Sequence, residues 1–415
     1  MDGTRSIKLE NGVYWNGILN PLLRVFDVIM KTEYGTSYNS YLVKGKEKYA
    51  VIDGSHDKFI DLYMEKLSNL INGDFSKIEY IIVNHTEPDH SGAIFKLLEL
   101  NPNITIVSTA PAKKFLEEIV NGPFNHLLAT EDLEIDLGGK TLNFIMSPYW
   151  HWPDTMFTYL KEDKMLFTCD GFGAHFADER MFIDKLDEKT YAKYLEAMFY
   201  YYVHIMGPFK ENTRKTLEKI KNLDIKTLAP SHGPIHRGEF INKHIDLYKE
   251  WAKKDEHGIP RVLILYVSAY GNTEKLAKAM AEGIKEAGGE VELFDMVEVP
   301  ENEKLDVLVS KQEWADGILY GSPTINNDAL MYIWEAIGLL AVVNERKNKV
   351  YSAFGSYGWS GEAVKFLTER LKMMRLKTFE DIPPIKVKFY PTEEDLKNSK
   401  EYGKSFLEFI RKNKK

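Results

Sequence analysis

The pattern of this chain changes near residue 257, and that change limits its fold more than any other feature. The run Lys253-Lys254-Asp255-Glu256-His257-Gly258-Ile259-Pro260 is charged and then meets Gly and Pro, as a boundary between domains does. Before it the chain reads as hairpins. Ser40-Tyr41-Leu42-Val43 and Tyr49-Ala50-Val51-Ile52-Asp53 flank a polar turn, Lys44-Gly45-Lys46-Glu47-Lys48. Further strands are expected at 104–107, 141–146 and 165–168, with helices over 58–70 and 189–203. Strand-rich runs with helices between them predict a layered α+β or sandwich arrangement. After the boundary, strands at 261–267, 291–294, 317–320, 350–354 and 385–389 accompany helices at 273–287 and 362–373. That alternation predicts a parallel, doubly wound α/β sheet. The expected domains are 1–256 and 257–415.

Size and composition exclude several classes. With 415 residues, each domain can bury its own core, and 44% hydrophobic with 28% charged residues is an ordinary globular composition. A net charge of -8 argues against a nucleic-acid partner, because the one basic block is the tail Arg411-Lys412-Asn413-Lys414-Lys415, read as a frayed, solvated terminus. Cys169 is the single cysteine, so an intrachain disulfide framework and an all-cysteine iron centre are both excluded. The start, Met1-Asp2-Gly3-Thr4-Arg5, has no apolar signal region, and the apolar stretch 337–343 is too short to span a bilayer. No membrane partner and a cytoplasmic location are the expectation.

The densest chemistry lies in His85-Thr86-Glu87-Pro88-Asp89-His90, four metal-competent side chains in six residues. An apolar strand-like run, 80–83, precedes it, and a helix is expected over 91–98. The stretch thus occupies the loop at a strand's C-terminal end. Read as extended, it points His85, Glu87 and Asp89 one way and His90 another, which suits two metals better than one. His151, Asp170 and His232 also follow strand-like runs. Singly, each has a plainer reading, a hydrogen-bonded structural histidine or a turn aspartate. A sheet could bring all of them to one rim.

A second constellation follows the boundary. Ser268-Ala269-Tyr270-Gly271-Asn272-Thr273 leads from the first strand into the first helix, where free backbone N–H groups and hydroxyls make an anion site. It lacks the Gly-x-Gly-x-x-Gly pattern for a pyrophosphate, so one phosphate is the simpler occupant. Two more loops follow later strands. One carries Ser322, Pro323, Thr324, Ile325 and Asn326; the other carries Ser356, Tyr357, Gly358, Trp359 and Ser360. Flavodoxin-like sheets bind FMN at such strand ends, with Tyr357 or Trp359 as candidates to cover the ring.

These motifs, in this order and over essentially the whole chain, resemble the flavodiiron proteins, also called A-type flavoproteins. The resemblance implies a metallo-β-lactamase-like αβ/βα sandwich followed by a flavodoxin-like domain. It implies one iron held by His85, Glu87, His151 and Asp170, a second held by Asp89, His90, Asp170 and His232, and Asp170 as the bridge. It places His175 near the open coordination positions as a proton donor and Tyr202 in the pocket wall. His204 stands where many members carry Asn, a departure from the family pattern in that wall. Cys169, beside Asp170, reads as a small buried filler.

Hydrolytic relatives of this fold carry His where Glu87 stands. The carboxylate adds a hard, negative donor that favours ferric iron, although zinc would also bind such groups. Two ferrous ions and a fully reduced FMN together supply the four electrons that take dioxygen to water, and nitric oxide reduction to nitrous oxide needs two. Dioxygen or nitric oxide reduction is therefore the implied activity. A separate rubredoxin or a reduced deazaflavin is the implied electron donor, and a head-to-tail homodimer or a dimer of dimers the implied assembly. The competing readings are a dizinc hydrolase fused to an electron carrier, which Glu87 disfavours, and a flavin shuttle with a vestigial first domain, which the intact ligand set disfavours.

Overall fold

A computed structural model describes residues 5–27, 30–254, 256–340 and 349–413. The chain divides into two compact units, Met1–Lys254 and Asp255–Lys415.

The first unit is two sheets back to back with helices outside. One sheet runs Ile7–Glu10, Val13–Trp15, Tyr41–Lys44, Tyr49–Ile52, Ile78–Ile82, Thr105–Ser108, Asn125–Leu128 from edge to edge. The other runs Glu134–Asp136, Thr141–Met146, Met156–Leu160, Met165–Cys169, Thr227–Pro230, His236–Arg237. Strand periodicity decides which residues meet. Tyr41 and Val43 join Phe144, Met156 and Phe167 in the layer between the sheets, while Leu42 points out to the helices Ile60–Ile71 and Ile94–Leu100. On the far side Glu188–Tyr201, Lys210–Ile220 and Glu239–Trp251 bury Tyr194, Leu217 and Tyr248 against the second sheet. This is the expected αβ/βα sandwich.

Strand direction then positions the site. Met165–Cys169 and Thr227–Pro230 are parallel, and Thr141–Met146 is two antiparallel steps from Met165–Cys169. All three therefore deliver their C-terminal ends, and with them His151, Asp170 and His232, to one edge of the sheet.

The second unit has the sheet order Glu290–Asp295, Arg261–Tyr266, Gly317–Gly321, Val350–Tyr357, Lys377–Thr378, and every neighbour in it is parallel. This is the doubly wound order 2-1-3-4-5. The long strand Val350–Tyr357 pairs with Lys377–Thr378 along its first half and Lys386–Lys388 along its second. Leu263, Leu265, Ile318, Tyr320 and Ala353 fill the core on one face of this sheet, and Val262, Ile264, Leu319 and Phe354 fill it on the other.

Three expectations need correction. Residues 88–91 are not extended: Pro88 starts a helical turn, Pro88–Ser91, closed by bonds from His90 N and Ser91 N to Glu87 O at 2.9 and 3.0 Å. The basic tail is helical as far as Asn413, because Glu393–Asn413 is one helix whose Arg411 donates to Ala287 O at 2.6 Å; residues 414–415 lie outside the described residues. The helices Glu301–Trp314, Met331–Gly338 and Glu393–Asn413 have no counterpart among the elements the sequence predicts. Of the apolar stretch 337–343, positions 341–343 lie outside the described residues. Among the described residues no helix is long and apolar enough to cross a membrane.

Candidate metal centre and flavin loops

The helical turn at Pro88 builds the centre. In a helix, successive side chains diverge by about 100°, not the 180° of a strand, so Asp89 and His90 can both reach the same cavity. Gly92 lets the turn sit close, since a Cβ there would lie 2.7 Å from Asp57 N and 2.8 Å from Pro88 O.

All seven expected ligands come together, and Asp170 divides them. Its Oδ2 lies 2.8 Å from His151 Nε2 and 3.6 Å from His85 Nε2. Glu87 Oε2 completes that group, 3.0 Å from His85 Nε2 and 3.1 Å from His151 Nε2. The other oxygen, Oδ1, lies 3.0 Å from His90 Nε2 and 3.4 Å from His232 Nε2. Asp89 completes the second group, its Oδ1 3.3 Å from His90 Nε2 and its Oδ2 3.2 Å from His232 Nε2.

The electrostatics ask for cations. Burial alone would lower the histidines, but Asp154, Glu87 and Asp170 push His85 well above the usual range. Against the same burial, Asp89 and Asp170 raise His90 to about 9, and Asp170 and Glu87 raise His151 to about 9. Burial would raise the carboxylates, yet His151 and His85 hold Glu87 low, and His90 and His151 hold Asp170 well below its ordinary value. Both oxygens of Asp89 and Nδ1 of His90 are buried without a hydrogen-bond partner. Buried carboxylate oxygens without donors fit a metal ion, and this donor set of imidazoles and carboxylates suits iron or zinc.

Further residues fix these side chains in place. Asp154 Oδ1 lies 3.3 Å from His85 Nδ1, while its Oδ2 accepts from Thr86 N at 2.9 Å and Thr86 Oγ1 at 2.6 Å. His232 Nδ1 donates to Ser37 O at 2.6 Å, and Ser231 Oγ donates to Asp170 Oδ1 at 2.7 Å. Asp53, pushed up to about 6 by burial, accepts from Asn84 N at 2.8 Å and Asn84 Nδ2 at 2.9 Å. Sequence reasoning passes over Asp53 and Asp154. For Asp53 a signal exists, because Ile52-Asp53-Gly54 repeats the strand–Asp–Gly pattern that singles out Asp170.

A cavity of about 310 Å³ opens on Glu87 and Asp89, lined also by Phe26, Asp27, Tyr38 and His56. Asp27 is raised to about 6 by burial and by the charges of Glu87 and Asp89. His175 is buried beside His232, with ring centroids 5.1 Å apart, and burial followed by the His232 charge drives it well below 6.5. Tyr202 is not the tyrosine that faces this group. Its ring packs on Tyr248 and Trp251 at 5.0 and 5.1 Å, whereas Tyr201 meets His175 at 4.9 Å and His232 at 6.0 Å. One residue along a helix turns the side chain by about 100°, and the helix becomes π-helical from Tyr202 to Met206. In that segment His204 stacks on Tyr200, centroids 3.9 Å apart, and its Nδ1 donates to Tyr200 O at 2.8 Å. Cys169 is buried.

In the second unit the three loops are tied together at the strand ends. Thr273 Oγ1 and Ser356 Oγ lie 2.9 Å apart, and Thr324 N donates to Ser356 O at 3.0 Å. Ser268 Oγ accepts from Glu274 N at 3.2 Å, inside the first turn of Asn272–Glu286. Ile325 and Asp328 bond reciprocally across Asn326-Asn327, both with positive φ, a tight turn that carries Pro323 to Asn326 out from the strand. Ser356 and Tyr357 belong to the strand itself; Ala269, Gly358 and Ser360 lie in the loops. Trp359 and Tyr270 are 90% and 87% exposed, while Tyr357 is half-buried with Lys386 Nζ 5.2 Å from its ring centroid. The rings free to cover a flat ligand are thus Trp359 and Tyr270. Asn272 Oδ1 is buried without a partner beside the anion-binding turn. Open aromatic rings and the backbone N–H donors of a helix N-terminus fit a flavin mononucleotide, the rings its flat face and the helix end its phosphate.

Comparison with known proteins agrees with both halves. The profile described as "ODP family beta lactamase" matches residues 36–233, and that of "Flavodoxin" matches residues 264–403. The chain is 42% identical to "Flavo-diiron protein FprA2" of Clostridium acetobutylicum over 98% of this chain and 100% of that protein. It is 35% identical to a "Nitric oxide reductase" of Moorella thermoacetica over 97% of this chain and 98% of that one. Among solved structures, the flavodiiron protein of Giardia intestinalis superposes with a TM-score of 0.70 at 29% identity, covering 99% of this chain and 98% of that chain. The rubredoxin oxygen:oxidoreductase of Desulfovibrio gigas gives 0.71 at 28% identity, covering 99% of both chains.

Proposed function

The chain belongs to the flavo-diiron protein family, and on that premise we propose that it is an oxidoreductase reducing dioxygen to water, nitric oxide to nitrous oxide, or both, with FMN and two iron ions as cofactors. The division of donors between the two oxygens of Asp170 carries this reading. His85, Glu87, His151 and Asp170 would hold one iron, and Asp89, His90, His232 and Asp170 the other. When bound, the iron pair supplies the substrate-binding positions and two electrons, and the flavin supplies two more. The protein's own residues do the rest. Asp154 orients His85 and Ser37 orients His232, so each presents Nε2 to the centre. Phe26, Tyr38 and Tyr201 pack around His175 and His232. His175 is the hydrogen-bond donor of the pocket and Tyr201 its wall. The three loops Ser268 to Thr273, Ser322 to Asn326 and Ser356 to Ser360 would hold FMN.

The finer assignments belong to the same proposal. The metal domain is residues 1–256 and the flavin domain 257–415, which the two compact units support. The electron donor is a separate rubredoxin or a reduced deazaflavin, the assembly a head-to-tail homodimer or a dimer of dimers, and the location cytoplasmic.

The test is metal analysis followed by anaerobic stopped-flow. The natively prepared protein should carry two irons and one FMN per chain, and its reduced form should be reoxidised rapidly by dioxygen, nitric oxide or both. Two zinc ions with no reoxidation by either gas would favour the hydrolase reading instead.

A further inference from the structure

Thr36, which no motif singles out, sits at a decisive point beside the pocket. It begins the short strand Thr36–Tyr38, and its neighbours lock it against the His232 loop. Asn39 Nδ2 donates to Pro230 O and Gly233 O, both at 2.8 Å, Gly233 N donates to Ser37 Oγ at 2.8 Å, and Asn39 N donates to Ser231 O at 2.7 Å. A backbone held at both edges gives a side chain one position.

The Thr36 hydroxyl has three polar neighbours and one proton to give. Oγ1 lies 3.0 Å from His175 Nδ1, 3.3 Å from Ser37 O and 3.4 Å from His232 Nδ1. Ser37 O is a pure acceptor already engaged by His232 Nδ1 at 2.6 Å, which fixes the His232 proton on Nδ1 and removes that nitrogen as an acceptor. The nearest acceptor left for the Thr36 proton is His175 Nδ1. A neutral imidazole that accepts at Nδ1 carries its proton on Nε2.

We propose that Thr36 is a positioning residue: its hydroxyl donates to His175 Nδ1 and so holds the ring in the Nε2–H tautomer, with that N–H directed to an oxygen atom of the bound substrate. This rests on the reading of the centre as a gas-reducing site. Two observations support it. His175 Nε2 is buried with no hydrogen-bond partner, and leaving a buried N–H unpaired is costly, which points to an occupant that pairs it during turnover. The ring is also held in place by Phe26 at 4.3 Å and Tyr201 at 4.9 Å between centroids, so the tautomer rather than ring rotation decides what it offers.

The test compares the wild type with Thr36→Val, which keeps the shape and loses the hydroxyl, and with Thr36→Ser, which keeps the hydroxyl. Histidine ¹⁵N NMR on the full FMN-loaded chain with zinc in place of iron should show His175 protonated on Nε2 and bare on Nδ1 in the wild type and in Thr36→Ser. Thr36→Val should show the proton shared between the two nitrogens. Iron-loaded Thr36→Val should lose about tenfold or more in kcat, with iron and FMN content and KM unchanged, and Thr36→Ser should recover it. A wild-type His175 protonated on Nδ1 would overturn the proposal, as would a Thr36→Val protein with unaltered tautomer and kcat. Because the tautomer is read without turnover, a chain that reduces neither gas would refute the proposed function, while the NMR spectra would still decide whether Thr36 sets the tautomer.

Discussion

Lys66 is buried with its Nζ 4.3 Å from the ring centroid of Trp15 and donating to Gly17 O. Burial lowers its pKa to about 8, against 10.5 when unfolded. Between these values the unfolded chain binds a proton that the folded chain does not, so stability rises with pH across that window, by up to about 1.4 kcal/mol per pH unit. Urea unfolding of the metal-loaded protein should show this rise between pH 8 and 10, and Lys66→Met should flatten it. A slope identical in the variant would mean the wild-type ammonium is not the source. Single residues also mark how far the sequence can be read. The seven proposed ligands are legible because four lie within six residues and the others each follow a strand. Asp154 and Thr36 are not, because their roles are set by residues 69 and 139 positions away, His85 and His175, which only the fold brings near. Tyr202 is expected where Tyr201 stands, because an aromatic run gives no sign of which ring a helix turns inward.

Elements are legible in proportion to how strongly apolar spacing marks them. Strands such as Thr141–Met146 and Tyr49–Ile52 match because their alternate residues enter one core layer. The helix Glu393–Asn413 escapes because two of its contact positions are Ser399 and Gly403, where close backbone approach takes the place of apolar bulk. It packs on Asn272–Glu286 so closely that a Cβ on Gly403 would lie 2.2 Å from Met280 O, and one on Gly283 would lie 1.9 Å from Lys400 O. Helix propensity alone would make Gly403→Ala stabilising by about 1 kcal/mol. Overpacking against a backbone carbonyl costs about 1–3 kcal/mol and offsets it. Gly403→Ala should therefore lower the unfolding midpoint of the flavin-binding unit, followed by release of FMN fluorescence on heating. A raised midpoint would show that the two helices separate freely. At the turn Pro88–Ser91 local reading gives the wrong geometry. Proline at its first position is compatible with an extended loop or a helix start, and only the bonds to Glu87 O decide between them.

At the scale of the whole molecule, a chain with a metal unit and a flavin unit still has to pass electrons between them. The proposed head-to-tail pairing does so across two copies. Dilution to a verified monomer should then abolish gas reduction while both cofactors stay bound, as checked by light scattering, absorbance and iron content on one sample; a monomer that still turns over would refute the pairing. One further consequence lies in Asp170, whose two oxygens each serve a different set of donors. Removing that one carboxylate would take a donor from both sets at once, so Asp170→Asn should lose both metal ions together where Asp89→Asn should lose one, as iron analysis of the two purified variants would show.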